Sequence, residues 1–548
     1  MAHSDSTQQP SRIKVMVIGG GPVGLAMAVM LDRFQIEFVL VERSPGISDH
    51  PKARGCDIRT MELFRQWGIE DKVRARGLPS GSDSFAFVDA IAGHEYGRTV
   101  PELNVGHSPT WRCLVSQDVV EDELLALVRH SRVGRVLYNT EFVGYEELEG
   151  EVLVRTQDTR GGAAGEWRAD FMIGADGAGS TVRRQTDITM RGPSTLAVMA
   201  NEYWLADLSH LPRITATAAY RVVPNDPAES IWTVLNGNGR DRWLSTGHVG
   251  REGDERAAPR TDAEVVALAR RQTGIADLDV KVISRSVWRL SRQVATKFRS
   301  GRVFLVGDAA HRFPPNGGFG MNTGIHDAHN LAWKLRLVFD GKAGAALLDT
   351  YDSERRPVAE SNADFSLGNQ KRFLATDAAL RSGNRDQINF WIRDTHNHLH
   401  SSGQSLGFSY EDGALVADGT ARTPLDPKHY QPNDRPGNRF PHVWLDLAMV
   451  RSTLDWFDQE FVLVAGPKAG EWLSAAQAAA ESIGVPIRTR QLDVANESDG
   501  LWMGSRGAVL VRPDGHVAWR MPWAPADPAA ELASAMSSIL FRQADNIN

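Results

Sequence analysis

Cysteine is almost missing from this sequence: its 548 residues hold two, Cys56 and Cys113. Two thiols cannot build a disulfide framework or a zinc cluster, so metal chemistry is set aside and buried free thiols in a reducing cytoplasm are expected. No run of about 18 apolar residues occurs, so no segment reads as a membrane span. A basic excess is missing too: 61 Lys and Arg stand against 68 Asp and Glu, a net charge of −7, and nucleic-acid binding is not expected. Met1 to Ser11 are polar, with no basic stretch followed by an apolar one, which predicts a short disordered lead-in rather than a signal peptide. Internal repeats and low-complexity tracts are also absent.

What is present is a chain too long for one core, with two or three domains expected. Lys14–Ile18 is an apolar run ending in glycines, as in a buried parallel strand. Apolar and small residues then recur at helical spacing from Pro22 to Arg33, and Phe38–Glu42 reads as a second strand. Together they form a βαβ unit, the opening of a doubly wound α/β domain. Similar strands end at Gly174 and Val306, while Thr215–Val223 and Ser230–Leu235 alternate as in an antiparallel sheet over a ligand site. Residues 383–436 are rich in Gly, Asn, Asp, Pro and His and read as an irregular connection. Beyond it, Phe461–Val464, the Ala-rich Glu471–Ile483, and Arg506–Val511 with Val517–Arg520 around the turn Pro513-Asp514-Gly515 predict a compact α/β module.

The cofactor signal begins with Gly19-Gly20-Gly21-Pro22-Val23-Gly24, a G-x-G-x-x-G. Gly19 serves the tight turn, Gly21 the backbone approach to a pyrophosphate, and Gly24 close helix–strand packing. The phosphates then lie at a helix N-terminus, where unpaired N–H groups favour anions. Glu42 ends the second strand, where its carboxylate can accept the ribose hydroxyls of an adenosine; Arg43 beside it is counted with the cofactor site. Two further motifs select FAD over NAD: Gly174–Arg183, with Asp176 and Gly177, and Gly301–His311, with Asp308, followed at once by Pro314–Asn322. An Asp at a strand end can bond polyol hydroxyls, and a glycine-rich turn into a helix offers N–H groups to an electron-rich ring edge.

With these three motifs in this order, residues 12–375 resemble the single-component flavoprotein aromatic hydroxylases related to para-hydroxybenzoate hydroxylase and phenol hydroxylase. The resemblance implies that Gly19, Gly21, Gly24 and Glu42 hold the ADP half of FAD and Asp308 the ribityl chain. It implies that Asp176 supports the pyrophosphate and the reductant, and that Gln117 contacts the flavin. Pro315 falls beside the reactive flavin carbon, with Gly318, Gly320, Met321 and Asn322 lining the ring. NADH or NADPH is the implied reductant and O₂ the co-substrate, acting through a flavin C4a-hydroperoxide. No second G-x-G-x-x-G follows a strand, which suits a family whose nicotinamide docks transiently. Residues 436–548 resemble the thioredoxin-like appendage of phenol hydroxylase-type members, without Cys-x-x-Cys and hence without dithiol chemistry.

The expected architecture is therefore an FAD-binding domain of residues 12–185 and 285–380, with part of 75–110 on the substrate side. A β-sheet substrate domain follows at 186–284, a connection at 381–435 and the appendage at 436–548. Such an enzyme needs a dry pocket and a group that removes or polarises a phenol proton. His50, in Asp49–Gly55, is the candidate base. Arg54 and Arg59 can serve the flavin, an anionic substrate or the next helix terminus, with Arg54 favoured to face the active site. Tyr203, Tyr220, Trp232 and His248 are nominated for the other pocket wall. The expected activity is hydroxylation of a small phenol or substituted catechol, with tailoring of a polycyclic polyketide as the alternative, by a monomer or homodimer. A Trp-x-Trp-x-Ile-Pro segment expected of a flavin halogenase is absent.

Overall fold

A computed structural model describes residues 11–50, 53–227, 229–250, 258–396, 400–493, 501 and 503–542. The expected lead-in up to residue 10, and Pro51 and Lys52 beside His50, lie outside the described residues. The strand Ser11–Ile18 pairs in parallel with Phe38–Val41 on one side and Ala164–Gly174 on the other. Val303–Leu305 and Gly134–Leu137 extend the same parallel sheet. Strands covered on both faces need apolar side chains throughout, and Val15–Ile18 and Phe38–Val41 have no exposed position. The helix Pro22–Arg33 starts on Gly21 as N-cap, with Pro22 in the first turn. Its Leu25, Met27 and Val29 are fully buried, and the helix packs against the helices Gln117–Val128 and Phe319–Phe339. Each such side chain contributes roughly 1.5–3 kcal/mol by leaving water.

A second, seven-stranded sheet runs in the order Lys281–Leu290, Ala197–Leu205, Arg242–Gly250, Trp232–Asn236, Thr217–Val222, Ser84–Val88 and Glu95–Arg98. Neighbours are antiparallel except Thr217–Val222 and Ser84–Val88, which pair in parallel. Successive side chains point to opposite faces. One face, with Val88, Val222, Val234, Trp204 and Trp243, packs on Val265 and Ala269 of the helix Asp262–Thr273. The opposite face is turned to the cavity described below.

The stretch expected to be irregular holds a helix, Arg385–Asp394. Asn384 caps it by accepting from the Gln387 N–H, and Ile388 and Ile392, one turn apart, pack with Phe373 and Phe87. Its polar composition hid this i, i+4 pair. The C-terminal module is a mixed four-stranded sheet, Ile487–Gln491, Phe461–Ala465, Ala508–Val511 and Val517–Met521, with the helices Glu471–Ile483 and Pro528–Ile539. Ile487–Gln491 escaped the sequence reading because its half-exposed edge position carries polar residues. Both cysteines are buried free thiols, and burial pushes Cys56 well up. Among the described residues no helix is long and apolar enough to cross a membrane.

Buried charges join this module to the rest. Glu354, on the helix Thr350–Ser382, accepts from Arg512 Nη1 at 2.7 Å and Lys334 Nζ at 2.8 Å, all three with no exposed side chain. Arg512 also pairs with Asp514, and Arg439 with Glu62. Burial pushes the Glu354 carboxyl up, but Arg512 and Lys334 outweigh this and bring it down to about 2. Removing one partner of a buried pair costs about 3–5 kcal/mol, because the other charge is left without compensation. Glu354→Ala is expected to lose that much in chemical denaturation. The Glu354 contribution is complete above the unfolded carboxyl's ordinary 4.5 and fades as pH falls toward about 2, so the gap between wild type and variant narrows in acid.

Candidate functional site

The three motif glycines meet three different demands. Gly19 has φ +107°, and a Cβ there would lie 2.5 Å from the Ala175 carbonyl oxygen. A Cβ on Gly24 would lie 1.9 Å from the Gly19 carbonyl oxygen, so the helix seats directly on the strand end. A Cβ on Gly21 would meet no protein atom within 4 Å, although Gly21 lines a cavity of about 1710 Å³. Only Gly21 thus keeps space open for something other than protein. Glu42 lies in the same wall; its oxygens accept from the Gly20 N–H at 2.7 Å and the Ser44 N–H at 2.8 Å. Each carboxylate oxygen keeps a further lone pair for a hydroxyl. Arg43, Gln117, Asp176, Gly177 and Asp308 line the cavity as well. Gln117 is held by the Ala53 N–H at 3.0 Å and by Glu121, to which its amide donates at 2.7 Å. The Asp176 carboxylate is committed to a helix start, accepting from the Thr181 and Val182 N–H groups at 2.7 and 3.0 Å.

The second glycine loop brings Pro315, Gly318, Gly320, Met321 and Asn322 to the wall. Gly317 and Gly318 take φ +120° and +73°, and Gly318 is the N-cap of the helix Phe319–Phe339, whose first-turn N–H groups have no partner within the helix. Asn322 fastens the loop: its oxygen accepts from the Asp57 N–H at 3.1 Å, and its amide donates to the Gly318 and Gly55 carbonyls at 2.6 and 3.2 Å. A turn with open backbone donors, an acid at a strand end and a glycine that keeps its Cβ space clear suit a dinucleotide carrying a flavin. FAD therefore fits the residues present.

Arg54 faces this cavity. Its Nη1 donates to the Ala218 carbonyl and, at 2.7 Å, to that of Asn236, which ties it to the centre of the antiparallel sheet. Burial pulls it down to about 10, so it stays a cation at neutral pH. Arg59 is turned away, donating to Glu62 at 2.8 Å and to the Asp514 carbonyl at 2.6 Å. His50 also misses the wall. Its imidazole spans two hydroxyls of one strand face, Ser284 at 2.6 Å from Nδ1 and Ser286 at 3.0 Å from Nε2, and of these three only Ser286 lines the cavity. That strand lies three and four spacings, roughly 14 and 19 Å, from the two strands whose carbonyls hold the Arg54 guanidinium. One small phenol cannot touch both, and His50 is better placed to clamp its loop on the sheet than to act as base.

Strand alternation removes two of the four residues nominated for the other wall, Tyr220 and Trp232, and the remaining two do not line the cavity either. Tyr220 packs on the helix-covered face with Ala86 and Val234, and Trp232 packs with Ala200 and Leu268. Tyr203 lies outside the wall near Arg242 and Asp118, and His248 is exposed. The residues that do line the cavity from this sheet include Phe85, Ala218, Leu235, Leu244, Thr246, Asn201, Ser286 and Trp288. Finding them needed the register: Leu244 pairs with Leu235, and Leu235 with Ala219 beside Phe85.

Residues 12–366 match the family described as FAD binding domain, and residues 433–542 match the aromatic-ring hydroxylase C-terminal family. The chain is 34% identical over 533 residues to a proposed polyketide hydroxylase from Streptomyces halstedii, covering 93% of each. It is 33% identical over 560 residues to a 4-methyl-5-nitrocatechol 5-monooxygenase from a Burkholderia species, covering 97% of this chain and 98% of that one. Its fold is similar to the crystal structure of the flavin-dependent monooxygenase PieE in complex with FAD and substrate. That likeness has a TM-score of 0.90 at 31% identity, over 97% of this chain and 99% of the other.

Gly21→Val places a branched side chain in the open space at the turn without touching the fold. The purified variant is expected to be folded by circular dichroism and to lack flavin absorbance. Retention of stoichiometric FAD would remove Gly21 from the cofactor cradle.

Proposed function

The chain belongs to the FAD-binding aromatic-ring hydroxylase family of flavoprotein monooxygenases, which use NAD(P)H and O₂, and from that premise we propose that its substrate is a polycyclic phenol of the aromatic polyketide type. The extent of the sheet wall carries this reading. Six neighbouring strands, from Lys281–Leu290 to Ser84–Val88, contribute lining residues, a width of roughly 24 Å at ordinary strand spacing. Relatives assigned to polyketide hydroxylation support the same reading. The nitrocatechol monooxygenase relative favours a second one, a small substituted catechol that loses its nitro group.

When bound, FAD supplies the oxygen activation that no side chain here can provide. The protein's own part is electrostatic and steric. Arg54, fixed by two carbonyls, favours the phenolate over the phenol and so makes the ring electron-rich. Phe85, Leu235 and Leu244 keep that part of the wall apolar and exclude water. Asn322 holds the glycine loop, and with it Pro315, at a constant distance from the strand that carries Arg54.

Purified holoenzyme with NAD(P)H tests the substrate class. Hydroxyanthraquinones are expected to stimulate reductant oxidation and to gain one oxygen by mass spectrometry, with phenol and 4-nitrocatechol far weaker. Stimulation by 4-nitrocatechol with nitrite release, and none by the polycycles, would replace the first reading by the second. Arg54→Met is expected to keep FAD and to lose about 10- to 100-fold in kcat/KM, the equivalent of a charge-assisted bond of about 1.5–3 kcal/mol.

A further inference from the structure

Asp83 stands just before the strand Ser84–Val88, lines the cavity and is 4% exposed. Apart from Asp83's own backbone N–H, neither carboxylate oxygen has a hydrogen-bond donor among the described residues. Its nearest charge is Arg112, whose Nη1 lies 3.7 Å from Oδ2 and whose Nη2 pairs with Glu102. Burial pushes the Asp83 carboxyl up, and Arg112 opposes that shift. A buried acceptor without a donor costs about 1–3 kcal/mol, more when charged, so folded proteins keep few of them. One that opens on a ligand cavity is satisfied when the ligand brings the donor.

The sheet places this acceptor close to Arg54. Ser84, next to Asp83, pairs with Thr217, next to the Ala218 whose carbonyl receives the Arg54 guanidinium, so Asp83 leads into a strand that neighbours, about 4.8 Å away, one of the strands on which that guanidinium rests. Phe85, two residues past Asp83, gives the same wall an aromatic face. A fused ring system held at Arg54 by one oxygen can therefore present another oxygen to Asp83. We propose that Asp83 is a specificity-determining residue whose carboxylate accepts a hydrogen bond from a second hydroxyl of the substrate, separate from the oxygen held by Arg54. This rests on the polycyclic phenol reading and adds to it that the substrate is at least dihydroxylated.

The test is equilibrium binding to the holoenzyme, followed by the absorbance change of its FAD, with 2-hydroxyanthraquinone and with its 2,6- and 2,7-dihydroxy counterparts. Wild type is expected to bind at least one dihydroxy probe about tenfold tighter than the monohydroxy probe. Asp83→Ala is expected to erase that preference and Asp83→Asn, which keeps a neutral acceptor, to reduce it, both by weakening the dihydroxy probe alone and raising its KM with kcat within about twofold. Asp83→Asn keeps the side-chain volume and carries the test if the alanine variant does not fold. An unchanged preference in the variants overturns the proposal, as does equal weakening of all three probes, which would assign the carboxylate to internal water or to the fold. Failure of every probe to bind wild type overturns the polycyclic reading and the Asp83 assignment together.

Discussion

The contact on which this molecule depends most is the seat of one helix on one strand end, where Gly24 meets the Gly19 carbonyl so closely that a Cβ would stand 1.9 Å from that oxygen. Any side chain at position 24 would lift the helix Pro22–Arg33 off the sheet. The consequence is not only lost packing of Leu25, Met27 and Val29. The helix start would also move away from the turn whose N–H groups and open space at Gly21 are suited to an anion. Stability and cofactor recognition are thus set by the same van der Waals contact.

A second constraint acts from the opposite wall. The antiparallel sheet gives one face to the helix Asp262–Thr273 and the other to the cavity, so alternation decides which residues meet a ligand. Arg54 bridges the two halves of the molecule, since its own strand precedes the helix Ile58–Gln66 while its guanidinium is held by carbonyls of the sheet. The buried Glu354–Arg512–Lys334 cluster ties the C-terminal module to the helix that begins at the second glycine loop.

Much of this was legible in the residues themselves. Glycine spacing, the acid at position 42 and the apolar strands are local signals, and they pointed to residues that the structure brings to one cavity wall. The substrate half was not, because it is assembled by register between strands far apart in sequence. Tyr220 and Trp232 are aromatic residues in the right sheet on its wrong face, while Leu235 and Leu244 carry no chemical signature until their pairing is known. His50 had suitable chemistry and nearly the right place, yet two serines on a neighbouring strand occupy its imidazole. Asp83 gave no signal at all, since an orphaned carboxylate is visible only once burial is known.

The central claim is that flavin and aromatic substrate share one cavity, the flavin along the glycine turns and the substrate on the sheet face at Arg54. A crystal structure of the holoenzyme with a bound hydroxyanthraquinone tests it most directly. The account predicts the pyrophosphate over Gly21 and the ring system against Leu235 and Leu244, with an oxygen at the Arg54 guanidinium. A ligand lodged on the helix-covered face beside Tyr220 and Trp232, or at a site remote from Arg54, would contradict it.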